Sequence, residues 1–413
     1  MKKILAIALC LVSYLKLQSQ DTLTVMTYNL LGYGTTGHSS LSPSSKNPHL
    51  KTIIKQILPD IFGANEIANN SLYCDNILVN VLNQDGRNYY KRANYSNVTN
   101  STLVNMLFYN SNKLEISNQY FINGGIRDMM LYKLYYKDPQ PIMDTLFLYV
   151  CLVHLKAGSN ASDYASRNNE TQAVMNFLNN LNLPSNTNLL IMGDMNLYTS
   201  SEVAYQNLVN HSNTTIRFYD PINRPGGWSN DINFKDIHTQ STRLYSEPDG
   251  GIGGGLDDRF DHILMNANLI NGNNRMNYVS GSYYAFGNDG NRFNQSINSS
   301  NTAVSQTVAN ALYSMSDHLP VISKIYVSSP TSLSPNHHLP LQWHITPTDF
   351  TFSSEKPLSG EVIIYNSLGQ IICSKTLRNE LSFHFDLKGL NKGIYMVQFN
   401  LNGKIESRKI VHW

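Results

Sequence analysis

The sequence predicts an α/β domain followed by a small all-β sandwich domain, and three observations carry that reading. Between Asp21 and Val327, apolar runs of strand length alternate with amphipathic stretches of helical period. Residues 328–347 then form a Ser/Pro/Thr/His-rich break with Pro330, Pro335, Pro340 and Pro347, which reads as a linker. From 348 to 413, short strand-like segments are separated by turn signals at Leu368-Gly369, Lys388-Gly389 and Asn402-Gly403.

In chain order, Met1-Lys2-Lys3 and the apolar run 4–15 form a charged n-region and a short h-region, so residues 1–20 are expected to be a signal peptide cleaved near Ser19 or Gln20. That run is too short to span a bilayer, and no later run reaches the ~20 apolar residues a span needs. Leu9 before Cys10 argues against a lipid anchor. Within 21–327, strands are expected at 22–28, 103–109, 146–155, 189–192, 260–265 and 321–327, and helices at 49–57, 72–82 and 166–181. Residues 271–310 are polar and Gly/Asn-rich and are expected to be long loops. The final domain is expected to use strands at 361–365, 370–374, 381–385, 394–399 and 404–411.

With 413 residues, the chain has room for more than one domain. It is 41% hydrophobic and 15% charged, a globular balance without an acidic tail or long basic run. The formal charge is +2, and losing Lys2, Lys3 and Lys16 with the leader gives 2 − 3 = −1. A near-neutral chain lacks the broad positive field of a non-specific nucleic-acid binder, although sequence order does not show surface clustering. Cys10 leaves with the leader. Cys74, Cys151 and Cys373 are too few and too scattered for a disulfide framework or a zinc site, so buried free thiols are expected.

The chemistry gathers at strand ends. Residues 189–192 run through Gly193 into Asp194 and Asn196, and residues two apart in extended chain point the same way. Alone, Gly-Asp-x-Asn is an Asx turn closing a strand. The pattern recurs, however. Strand 24–28 runs into Asn29, Pro59–Asn65 into Glu66, 146–153 into His154, Asp261 opens an apolar run, and Ser316-Asp317-His318 precedes the last strand. Each has an ordinary structural reading as a turn former, cap or satisfied strand-end residue. Polar ends on one sheet edge converge over that edge and make a site.

These residue types fit phosphate-ester hydrolysis, which needs an activated water, stabilised phosphoryl oxygens and a protonated leaving group. Glu66, Asn29 and Asp317 offer hard oxygen ligands suited to Mg²⁺ or Mn²⁺. Asp194 can take the water proton while Asn196 holds water or a phosphate oxygen. His318 with Asp261 forms a carboxylate–imidazole couple that favours the charged ring, and His154 suits phosphate contact or leaving-group protonation. Lys156 and Arg167 could meet a phosphate, or be a solvated Lys and a structural Arg. The run Gly250–Gly255 lacks a strand-to-helix context and reads as a loop near the site.

Taken in order, Tyr28-Asn29-Leu30, Asn65-Glu66, His154-Leu155-Lys156, Gly193-Asp194-Met195-Asn196, Phe260-Asp261-His262 and Ser316-Asp317-His318 resemble the endonuclease/exonuclease/phosphatase superfamily, with its deoxyribonuclease-I-like fold. The resemblance covers 21–327. It implies a four-layer αββα sandwich of two packed mixed sheets flanked by helices, and divalent-metal hydrolysis of phosphate esters. It also implies Glu66 as main metal carboxylate, Asp317 as second ligand, Asp194 as base or water orienter, and Asp261–His318 as a coupled pair. The long polar separation between Asp261 and Ser316 departs from the pattern. Residues 348–413, with Tyr365-Asn-Ser-Leu-Gly369-Gln, Gly393-Ile-Tyr395 and Lys409-Ile-Val411, resemble a type IX secretion sorting domain, although Thr346-Pro347 stands where Asn-Pro is usual. A carbohydrate-binding module is the other reading of that region.

The expectation is a secreted or surface-exposed, Mg²⁺-dependent phosphodiesterase, a monomer acting on extracellular DNA or RNA and handled by a secretion machinery through its last domain. A sphingomyelinase-type phospholipid phosphodiesterase is the alternative within the same chemistry, although no apolar docking hairpin stands out. An inositol-phosphate phosphatase would want a denser Lys/Arg cluster. A non-catalytic surface protein retaining the fold is the alternative of a different class.

Overall fold

The computed structural model describes residues 21–138, 145–328, 341–346, 348–401 and 404–412. The expected signal peptide and most of the expected linker lie outside the described residues. The chain divides into two compact units, Met1–Ser329 and Pro330–Trp413.

The first unit contains, in order, β1 (Asp21–Tyr33), β2 (Ile61–Ala68), β3 (Tyr90–Arg92), β4 (Leu103–Asn110), β5 (Leu114–Ile122), β6 (Met129–Tyr136) and β7 (Phe147–His154). There follow β8 (Asn188–Asp194), β9 (Phe218–Tyr219), β10 (Asp261–Asn266), β11 (Met276–Tyr278), β12 (Tyr284–Ala285) and β13 (Val321–Val327). Its α-helices are α1 (Pro43–Ile57), α2 (Ser71–Ile77), α3 (Ala161–Asn180), α4 (Val203–Val209), α5 (Ala267–Asn271) and α6 (Gln306–Met315).

Two mixed sheets result. One has the order β11-β13-β1-β2-β4-β3, with β12 also on β13, and the other β5-β6-β7-β8-β10-β9. Both repeat one plan. β1 and β2 are parallel around the crossover that holds α1, and β7 and β8 are parallel around α3. An antiparallel strand flanks each pair on either side: β13 and β4 in the first sheet, β6 and β10 in the second.

The central strands are buried on both faces, which is why they read as continuous apolar runs instead of alternating ones. In β8, Leu190 and Met192 belong to the core shared with the first sheet, whereas Leu189 and Ile191 pack with Val174 and Leu178 of α3 and Leu208 of α4. β7 divides the same way, Leu148, Val150 and Leu152 to one side and Cys151 and Val153 to the other. The same continuous cluster extends through the first sheet to its other face, where it takes in Leu50 and Ile53 of α1, Ile77 of α2 and Leu312 of α6. The order is helices, sheet, sheet, helices, so the four-layer expectation holds.

Several boundaries move for local reasons. α1 starts at Pro43, six residues before the expected 49, because Ser42 accepts the Ser45 N–H as N-cap and proline suits the first helical position. α3 starts at Ala161 through a reciprocal Asn160–Asp163 capping box. The segment expected to be loop, 271–310, contains β11, β12 and the start of α6. Ser305 caps α6, and Val308, Ala311, Leu312 and Met315 are its buried stripe. Cys74 and Cys151 are buried and free as expected, while Cys373 is only half-buried.

One buried side chain ties the two sheets together. Asn65 of β2 accepts the Asp194 N–H on Oδ1 (3.1 Å) and donates Nδ2 to Val153 O (3.0 Å) and Asn105 Oδ1 (2.8 Å).

The second unit comprises β14 (Leu341–Ile345), β15 (Asp349–Asn366), β16 (Ile371–Asp386), β17 (Gly393–Leu401) and β18 (Lys404–His412), all paired antiparallel. The expected strands 370–374 and 381–385 are one long strand, β16. Register shifts between Ser353 and Gly360 bend β15, so its first half turns over its second. Phe352 and Trp343 thereby reach Phe399 of β17, ring centroids 5.0 and 5.1 Å away, and a sandwich closes around them.

Asn65→Ala would strand the Asp194 N–H, Val153 O and Asn105 amide in the interior. It is expected to lower unfolding free energy by about 2–5 kcal/mol in urea titration, since each unmade buried bond costs roughly 1–3 kcal/mol. A loss below about 1 kcal/mol would show that the bridge does not hold the sheets.

Candidate active site

The parallel pair in each sheet delivers its C-terminal ends to one seam. Asn29 lies opposite Asn65 in the β1–β2 register, and His154 opposite Asp194 in the β7–β8 register. β10 brings Asp261 directly across from Asp194. Gly193 permits the close pairing at this end: at its φ of +142°, a Cβ would lie 1.8 Å from Val153 O.

Glu66 and Asn196 both hold left-handed backbone conformations, φ 58° and 50°. Glu66 falls where the β2–β4 register slips between Ala64 and Ile67, a bulge that re-aims its side chain toward the seam. Asn29 Nδ2 donates to Glu66 Oε1 (3.0 Å) and Asp194 Oδ2 (2.9 Å), linking carboxylates from different sheets. Its Oδ1 accepts the Leu31 N–H (2.9 Å), so in this arrangement Asn29 orients carboxylates through its amide hydrogens. Asn196 gives its N–H to Asp194 Oδ1 (3.1 Å) and its amide to Leu155 O (3.2 Å).

Two histidines face the same carboxylate. His154 Nε2 is 3.4 Å from Asp194 Oδ2 and 3.7 Å from Glu66 Oε1, and its buried Nδ1 has no partner among the described residues. Burial, then the charges of Arg127 and His318, hold its pKa well below the ordinary value, so its ring is neutral. His318 Nε2 is 3.8 Å from the same oxygen, while its Nδ1 is 2.7 Å from Asp261 Oδ2. Burial opposes its charge, but Asp261 and Asp194 together raise its pKa well above the ordinary value. Asp194 is itself pushed up to about 7, mainly by burial and further by Asp261 and Glu66, against the pull of His318 and Asn29. Glu66 is also raised, first by burial and then by Asp317.

Asp317 stands to one side of this group. Its Oδ2 accepts the Ile252 N–H (2.8 Å) and a Gln240 Nε2 hydrogen (3.1 Å), and its buried Oδ1 has no partner among the described residues. Among the described residues, metal-ligand atoms lie close together in two sets: Glu66, His154 and Asp194, and Asp194, Asp261 and His318. Of the expected set, Glu66 belongs to the first of these groups, Asn29 reaches it through its amide, and Asp317 falls in neither. The donor chemistry still suits a hard divalent cation, with four buried or half-buried carboxylates converging and one Asp317 oxygen left unsatisfied.

The two expected phosphate cations are committed elsewhere. Arg167 is fully buried, paired with Glu202 (2.9 Å), and donates to Lys156 O and Gly158 O (2.9 and 2.8 Å). It therefore braces the loop after β7 and is removed from phosphate contact. Lys156 Nζ pairs with Asp163 Oδ1 at 2.8 Å.

Sequence reasoning missed Arg127, which is half-buried and near enough to bear on Glu66 and His154. Its Nη1 reaches Leu155 O at 3.4 Å, and among the described residues no carboxylate pairs with it. Gln240 was missed as well. Its Nε2 lies 2.8 Å from His318 Nε2 and 3.1 Å from Asp317 Oδ2. With Nδ1–H given to Asp261, His318 Nε2 accepts from that amide, and charging the ring requires Gln240 to release it or turn its oxygen inward. The segment around Gln240 also fixes the last motif: Thr242 N–H bonds Asp317 O (2.9 Å), and Thr239 Oγ1 accepts the Asp261 N–H (3.2 Å). A run of small polar residues, Thr239 to Thr242, was the only sequence signal for it.

Residues 346–412 match the family described as secretion system C-terminal sorting domain. No curated protein matches the chain. Solved structures similar to it include D. rerio TDP2 complexed with a single-strand DNA product (12% identity, 74% of this chain and 98% of that one, TM-score 0.47). Others are an endonuclease/exonuclease/phosphatase from Bacteroides vulgatus (12%, 75% and 100%, 0.47) and the human Nocturnin catalytic domain with bound sulfate (14%, 75% and 98%, 0.45). Because the family match runs through both sheets, from residue 26 to residue 318, this chain belongs to the endonuclease/exonuclease/phosphatase family.

Proposed function

We propose that the protein is an exported, Mg²⁺- or Mn²⁺-dependent phosphodiesterase whose substrate is extracellular nucleic acid. The observation that carries this reading is the bridge from Asn29 to Glu66 and Asp194, which sets carboxylates of both sheets beside His154 and the Asp261–His318 couple. The C-terminal sorting domain supports export, and the leader-like residues 1–20 fit it.

In this reading, Glu66 and the free oxygen of Asp317 would hold the cation, with Asn29 orienting Glu66. When bound, the cation supplies charge neutralisation for the phosphoryl oxygens. Asp194 accepts the proton of the attacking water at Oδ2, its other oxygen held by the Asn196 N–H. His318, supported by Asp261, presents Nε2–H to a phosphoryl oxygen as negative charge builds there. His154 is neutral and hydrogen-bonds an oxygen without adding charge. Arg127, whose charge bears on Glu66 and His154, would meet a phosphate, the role expected earlier of Lys156 and Arg167.

A phospholipid head-group diester is the second reading. The loop joining the site through the Ile252 N–H exposes Leu244, Tyr245 and Ile252 (40, 76 and 58%), an apolar element that a lipid surface would favour.

Asp194→Ala is expected to lower kcat on bis(p-nitrophenyl) phosphate by about 10²–10⁴-fold. His318→Ala should lower it by about 10²–10³-fold. Both should retain the wild-type circular dichroism spectrum, and full activity in either would sink the assignment. EDTA should abolish turnover and added Mg²⁺ or Mn²⁺ restore it, while turnover that persists in EDTA would refute the cation's part. Plasmid DNA, RNA and sphingomyelin assayed in parallel decide between the two substrate readings.

A further inference from the structure

Beside Glu66 a cleft of about 640 Å³ opens between the loop after β1 and the start of α2. Its walls include Leu31, Ala68, Tyr73 and Leu103, and its rim includes Asn69 and Thr102. The Tyr73 ring lies against Gly34, where a Cβ would come within 2.6–2.8 Å of ring atoms at a φ of +87°. The aromatic wall thus depends on a residue without a side chain.

Among the described residues no Lys or Arg lines the cleft, and its carboxylates are Glu66 and Asp249. Asp249 is held by Arg243 Nη1 (2.6 Å) and the Gly251 N–H (3.1 Å). Arg127 bears on the site but does not line the cleft. A groove that carries a polyanion past a catalytic centre needs cations along its path. This cleft offers apolar and aromatic surface with uncharged hydrogen-bonding groups, at a volume ordinary for a small organic ligand.

We infer that the cleft receives an uncharged, hydrogen-bonding group of nucleoside size esterified to the scissile phosphate, and that the substrate does not continue through it as a phosphate chain. The inference rests on the phosphodiesterase reading and narrows its substrate class to esters with a single neutral unit on the Glu66 side. Within a nucleic acid, that unit is one nucleoside.

The test uses the full chain with Mg²⁺ on thymidine 5′-(p-nitrophenyl phosphate), methyl p-nitrophenyl phosphate and a 20-nucleotide single strand. The thymidine ester should have a kcat/KM at least about tenfold above the methyl ester, the scale of discrimination a pocket of this kind provides. Thr102→Trp, a change at an exposed rim position, should move that ratio toward one. Cleavage of the strand should fall less than about tenfold between 50 and 200 mM NaCl, where a groove contacting six or more phosphates would lose about 10³-fold. Equal wild-type rates on the two esters, a ratio unmoved by Thr102→Trp, or the steep salt loss would each overturn the inference while leaving the phosphodiesterase reading intact. Hydrolysis of neither ester would overturn that reading and this inference together.

Discussion

Asn65 is buried between the sheets, and each strong hydrogen-bonding position that it uses reaches a group fixed elsewhere: the Asp194 N–H, Val153 O and Asn105 Oδ1. A buried amide is costly unless its bonds are made, so few alignments of the sheets satisfy it. The apolar layer beneath is far less selective, since Leu152 and Met192, which pack over Gly63, would tolerate small slides. The amide bridge therefore supplies the registration that hydrophobic packing lacks. Asn29 can span Glu66 and Asp194 only because those strand ends have already been brought level.

That shared seam also gives two similar side chains opposite characters. His154 and His318 each lie within 4 Å of the same Asp194 oxygen. Only His318 has a second carboxylate in hydrogen-bond contact, through Nδ1 to Asp261. For His154 the corresponding nitrogen faces no partner, and desolvation then decides its state. Burial thus favours the neutral form of one ring, while the carboxylates around the other, Asp261 first, favour its charged form.

Much of this was legible in the sequence, and the reasons are particular. The buried strands β1, β7 and β8 announce themselves as apolar runs, and a polar residue where such a run stops is conspicuous, hence Asn29, His154 and Asp194. Glu66 was visible for the same reason, directly after the run 59–65, although β2 continues past it to Ala68. Lys156 and Arg167 misled because their spacing displays two cations while hiding Asp163 and Glu202, partners whose proximity only the folded chain creates. Gln240 and Arg127 lie in or beside irregular segments with no period to read, and long-range pairing alone gives them their positions. Helix α6 did carry a readable stripe, but Asn and Ser around it lowered the local hydropathy enough to suggest a loop.

The two sheets repeat one strand plan, and within it Glu66 and Asp194 lie at neighbouring stations on the second strand of each parallel pair: Asp194 is opposite His154, and Glu66 is one residue past Asn65, which is opposite Asn29. What differs is the company. Glu66 sits on a bulge, half-open to the cleft, whereas Asp194 is enclosed between two imidazoles. Nearly matching strand ends thus carry carboxylates in unlike surroundings, and the asymmetry between the two halves lies in what flanks each strand end and not in the strand plan itself.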